Sequence, residues 1–346
     1  MTTLNDDLLT PDSPDDLLKK DVLDSFCVTG DAPWSIMTSA ESNSSLAAVL
    51  AGLLIATIAV MFNWPEERHT IALFASGVVV LALDSYLFSH VKAVQPFTPF
   101  PIVSAHQVRI DEACERAWIQ AMPASGMLAT GGVALMCGLA WMMTTYETQS
   151  ARTEAFLPTL GGVLAVFVIT ITDLLLIATT VQYLDVVEQA EGWPLLWFAI
   201  VFAAAMVIPS WVFVYRSTRI LREAIKSRNE VIDDATNPVE QPQMKLKPTG
   251  ALKSATVGTG LYALVGPFFA GFYALVNQTG NALFIWGAVV VGLFYPAGVA
   301  LLMSLSLPRP ANSVAPSPRP PRHQPTRVGA ITMAVLIAMV TALRRG

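Results

Sequence analysis

Charge is what this chain of 346 residues has least of: Asp, Glu, Lys and Arg make up 14% of it, where a soluble globular domain carries about 25%. Cysteine is nearly as scarce. The three present (Cys27, Cys114 and Cys137) exclude a disulfide-built scaffold and a cysteine-rich metal site. The four histidines, His69, His90, His106 and His323, are scattered over loops and span ends, too few for a histidine-rich di-iron centre. No apolar run holds a central histidine, so a haem held by a histidine pair is not expected. The phosphate-loop pattern G-x-x-x-x-G-K-[ST] is missing; around Gly250, Lys253 and Ser254 the glycine directly before the lysine is absent. H-E-x-x-H and G-x-S-x-G are missing too, which removes the zinc-protease and serine-hydrolase constellations. Basic loops that are short and poor in aromatics leave no case for nucleic-acid binding. The sequence therefore predicts no enzyme, no metal and no cofactor.

What the chain has in abundance is apolar length, with 53% hydrophobic residues. Seven runs of roughly twenty residues carry almost no charge, and an eighth, shorter run closes the chain. A helix rises about 1.5 Å per residue, so about twenty apolar residues cross a hydrocarbon core of about 30 Å. The expected fold is an all-α polytopic transmembrane bundle of about eight spans, with seven possible and short amphipathic helices outside the bilayer. The spans are expected at 46–63, 70–91, 125–145, 157–180, 194–215, 257–276, 281–305 and 328–343. The last is short for a full crossing, though Arg327 and Arg344 flank it and can extend its reach by snorkelling. Four segments follow from this reading: an acidic tail over 1–44, the bundle over 45–305, a proline-rich basic linker over 306–327, and a C-terminal hydrophobic helix over 328–346. The first 44 residues lack an apolar core segment, so no cleavable signal peptide is expected.

Basic residues set the orientation. The 62–69, 146–156, 216–256 and 306–327 loops hold fourteen Lys and Arg, and the opposite face, with both termini, holds seven. The first set is expected in the cytoplasm, giving a multi-pass cell-membrane protein with its N-terminus outside. The acidic tail, net −7, then lies outside as well. Within it, Ser13, Pro14, Asp15 and Asp16 suit a helix start, and Leu18, Val22 and Phe26 form a narrow apolar stripe. A second amphipathic helix is expected over 105–122, where Ile110, Cys114, Ala117, Trp118 and Ala121 share a face. Under this topology Cys27 and Cys114 fall on the same outer side, which allows a disulfide in an oxidising compartment. Arg216, Arg219, Arg222 and Lys226 read as a continuation of the fifth span that meets anionic lipid headgroups, at about 1 kcal/mol per charge. The stretch 236–249 reads as a linker.

Two acids break the apolar runs. Asp84 lies in the second span and Asp173 in the fourth, at similar depth. A carboxylate near the bilayer centre costs roughly 2.5 kcal/mol or more, so each needs a compensating environment. Thr170, Thr172, Ser85 and Tyr86 offer hydroxyls nearby in sequence. If the two spans face each other, a proton or cation can bridge the pair, since two carboxylates in a low dielectric cannot both ionise. The alternative is that each acid is hydrogen-bonded and serves helix packing. Small residues four apart mark close helix contacts: Gly266, Ala270 and Ala274; Ala134 and Gly138; Ala288 and Gly292; and Ala330, Ala334, Ala338 and Ala342. Pro209, Pro267 and Pro296 interrupt spans five to seven. These features point to translocation of a small solute or ion, with Asp84 and Asp173 as the coupling site. A non-catalytic assembly, anchoring or sensor subunit, working with a membrane-protein partner or a second copy, is the alternative.

Overall fold

Backbone groups in lipid have no water to bond, so an apolar run satisfies them internally by folding as helix. The computed structural model describes residues 35–62, 68–94, 103–149, 156–188, 193–234, 246–247, 250–276, 281–306 and 309–310. Over these, the elements are α1 (Ile36–Met61), α2 (Arg68–Lys92), α3 (Val103–Gln149), α4 (Phe156–Glu188), α5 (Trp193–Asp234), α6 (Gly250–Val276), α7 (Ala282–Val289), a π-helical segment (Val290–Phe294) and α8 (Tyr295–Leu305). With α7, the π segment and α8 forming one crossing, seven helices among the described residues are long and apolar enough to span a membrane. The chain is an integral membrane protein built as an all-α bundle. The tail helix after Ser13, the proline-rich stretch and the expected span over 328–343 lie outside the described residues.

The amphipathic helix expected over 105–122 is not a separate surface helix. It is the first part of α3, which runs unbroken through Pro123 into the third span. Its apolar face is covered by protein rather than lipid: Cys114, Ala117, Trp118, Ala121 and Met122 are all buried. Cys114 is disulfide-bonded, whereas Cys137 is free and buried; Cys27 lies outside the described residues.

α3 is the hub. It packs against α1, α2, α4, α6, α7, α8 and the π segment, and its Val133, Ala134, Cys137, Ala140 and Trp141 form the middle of the main core cluster. α1 and α2 make a second cluster through Ala47, Ala51, Leu54, Met61, Phe74 and Leu81. The expected small-residue seams are largely real contacts. The Phe74 ring lies over Gly138, Ala134, Ala270 and Ala288 are buried, and only Ala274 of the described set is exposed. The 236–249 stretch is more than a linker, because its Leu246–Lys247 (β1) pairs antiparallel with Arg309–Pro310 (β2) beyond α8.

Candidate functional site

α2 lies against α3 in an antiparallel register that small residues define. Phe74 meets Gly138, Gly77 meets Ala134, and Leu81 meets Gly131. One turn further, the same register brings Asp84 level with Met127. Met127 in turn packs on α6, where a Cβ at Gly266 would fall 2.6 Å from its Sδ. Tyr262 precedes Gly266 by one helical turn, and its hydroxyl lies against Gly126 of α3, the residue before Met127. Asp84 thus sits where α2, α3 and α6 meet.

Tyr262 closes this junction through a gap in the hydrogen-bond ladder. In the π segment, the Tyr295 N–H bonds the Val290 carbonyl five residues back. The next donor in that register belongs to Pro296, which has no N–H, so the Val291 carbonyl is left open. The Tyr262 hydroxyl donates to it at 2.6 Å and lies 3.2 Å from the Pro123 carbonyl of α3. Tyr295 returns the link, donating at 2.9 Å to the Gly258 carbonyl of α6. The two rings stack at 4.7 Å with 20° between their planes. Close approach requires glycine on both sides here: a Cβ at Gly292 would lie 2.6 Å from the Met122 carbonyl oxygen, and one at Gly126 2.8 Å from the Gly292 oxygen.

Asp84 is fully buried, and neither carboxyl oxygen has a hydrogen-bond partner among the described residues. Asp173 is 2% exposed, with its Oδ1 buried and likewise without a partner. Three of the four hydroxyls that sequence offered are engaged elsewhere or turned away. Thr170 donates to the Val166 carbonyl and accepts from the Trp211 indole, Ser85 is paired with Ser44, and Tyr86 is 60% exposed.

Depth is shared by the two acids. Gly161 lies against Ala140, so twelve residues on, Asp173 comes level with residue 128 of α3, beside the level of Asp84. Adjacency is not shared. α2 packs on α1, α3 and α6, whereas α4 packs on α3, α5, α8 and the π segment. α3 stands between α2 and α4, so the packing sets up two separate seats and not the facing pair assumed from the sequence.

Arg216, Arg219, Arg222 and Lys226 lie on the exposed side of the long end of α5. Its buried side there carries Val214, Ser217, Leu221 and Ile225. At 42 residues α5 is about 63 Å long, so this end projects beyond a hydrocarbon core. Tyr262, Tyr295 and Gly126 escaped the sequence reading. The signal available was Pro296, together with a tyrosine in the middle of an apolar span, whose hydroxyl must find a partner when buried. Among the described residues, no three His, Cys, Asp or Glu side chains gather as metal ligands do. Comparison with protein-family models, with curated proteins and with solved structures finds no match.

Proposed function

We propose that this membrane protein translocates a small solute or ion, and that Asp84 is its ionisable seat, with Asp173 as a second seat at the same depth. The observation that carries the reading is a carboxyl wholly buried with no hydrogen bond among the described residues, where α2, α3 and α6 meet. A buried acid kept for packing is ordinarily hydrogen-bonded. One kept without a donor needs a proton or cation as its partner, because an isolated buried charge is very costly. Ionisable groups inside spans mark ion and proton paths, and interrupted helices line such sites in transporters. The π segment and Pro296 supply an interruption one helix away, tied to α6 by the Tyr262 hydroxyl. The positive-inside rule supports the basic ends of α5 and of β1 facing the cytoplasm, with the N-terminus outside.

A pH jump applied to proteoliposomes on a solid-supported membrane tests the reading without knowledge of the solute. The full chain is expected to give a transient charge displacement that Asp84→Asn removes and Asp173→Asn diminishes. An undiminished transient in the double variant would take both carboxyls out of the mechanism and favour the assembly-subunit reading.

A further inference from the structure

We propose that a single anionic phospholipid binds in the groove between the start of α4 and the projecting end of α5, with its phosphate on Arg222 and an acyl chain along Leu160 and Val163. The groove has a volume of about 410 Å³ and is lined by Phe156, Thr159, Leu160, Val163 and Arg222. That size lies within the range of about 300–1,000 Å³ typical of ligand sites. α4 and α5 approach closely at Gly162, where a Cβ would fall 2.9 Å from the Thr218 Cγ2. The groove begins one turn along, at Thr159 and Arg222.

Its two chemical ends match the two ends of a lipid. α5 carries no charge from Trp193 until Arg216, and Arg222 stands roughly 9 Å further along the axis. The Arg222 side chain is anchored by its Nε, which donates to the Thr159 hydroxyl at 3.0 Å. This tether holds the guanidinium at Thr159, beside the apolar wall of Leu160 and Val163. Deeper than this, Val163 is 45% exposed, a surface that an acyl chain suits, while Phe156, 68% exposed, lies nearly one turn to the other side of Arg222 and walls the outer end of the groove.

Charge selects the headgroup. Arg219 pairs with Glu223 and Lys226 with Glu230. Among the described residues no carboxylate pairs with Arg222, and the one bond drawn from it leaves four of its five N–H donors. A forked cation with donors to spare matches a phosphate. The site goes beyond a diffuse attraction of the basic cluster for the membrane, because it fixes one lipid at one place. It stands independently of the translocation reading and of Asp84.

The test uses the full chain in nanodiscs of mixed phosphatidylglycerol and phosphatidylcholine, read by native mass spectrometry after transfer to detergent. One phosphatidylglycerol is expected to stay with the wild-type chain, and Arg222→Gln is expected to lower its retention about tenfold, the loss of a charge-assisted contact. Lys253→Gln, an exposed cation at the start of α6 and outside the groove, leaves retention unchanged. Val163→Trp fills the groove with Arg222 intact and also lowers retention. Arg222→Lys, which keeps the charge without the fork, gives an intermediate loss and serves if Arg222→Gln does not fold. Equal losses from Lys253→Gln and Arg222→Gln, or equal retention of phosphatidylcholine, would overturn the proposal. So would retention untouched by Val163→Trp together with displacement of the lipid by millimolar inorganic phosphate, which would mark a phosphate site instead.

Discussion

The junction around Tyr262 and the flank formed by α1 are both apolar, yet they are built in opposite ways. In α1, 22% of the most apolar window is buried, against 56% in α3 and in the crossing that contains the π segment. On the flank, Val49, Leu53 and Val60 are each more than half exposed, and a Cβ added at Gly52 would meet nothing within 4 Å. At the junction, backbones touch through Gly126 and Gly292, and tyrosine hydroxyls tie one helix to the next. The difference teaches what holds such a bundle together. Lipid tails are as apolar as leucine, so burial of grease between helices contributes little, and close packing with interhelical hydrogen bonds does the work. The flank needs only to be apolar, while the centre needs particular residues.

That contrast can be broken most easily at Gly292. Gly292→Ala places a Cβ against the backbone of α3, which cannot rotate away. It is expected to cost about 3 kcal/mol or more of stability, the range of severe overpacking, read as lost thermal stability in nanodiscs. A wild-type melting curve would show that the centre is looser than drawn. Tyr262→Phe comes next, because it leaves the Val291 carbonyl open again and is expected to cost about 1–3 kcal/mol. If Tyr262→Phe and Tyr295→Phe both melt with the wild type, the tyrosine clasp contributes nothing. The smallest effect sharpens the comparison from the other side. Gly52→Ala on the flank is expected to be neutral or to gain up to about 1 kcal/mol, since alanine favours the helix and nothing opposes it. A loss at Gly52 would point to a neighbour packed on α1 in the membrane.

The seven crossings were legible because twenty uncharged residues leave lipid few alternatives, and the depth of Asp84 and Asp173 followed from counting along their helices. Past its span α5 was legible too, as the continuation that carries Arg216, Arg219, Arg222 and Lys226, whereas the stretch before the span in α3 was not. The amphipathic helix over 105–122 and the span over 125–145 read as separate elements, and the structure joins them in one helix whose Cys114, Ala117 and Trp118 are buried by protein. The neighbours of α2 were not legible at all. Contact between α2 and α6 joins residues far apart in sequence, and no local pattern encodes it, so the partner of Asp84 was sought on α4 instead. Pro296 was visible, but Tyr262 gains its meaning only when the carbonyl that Pro296 leaves open is placed beside it.

The account rests on Asp84 being a carboxyl that exchanges its proton or cation inside the bundle. The most direct measurement is infrared difference spectroscopy of the reconstituted chain between acidic and alkaline buffer, comparing wild type with Asp84→Asn. A protonated-carboxyl carbonyl band from apolar surroundings should appear on acidification of the wild type and be missing from Asp84→Asn, with both chains melting alike. The same band persisting in Asp84→Asn, or no titrating carboxyl in the wild type, would contradict it.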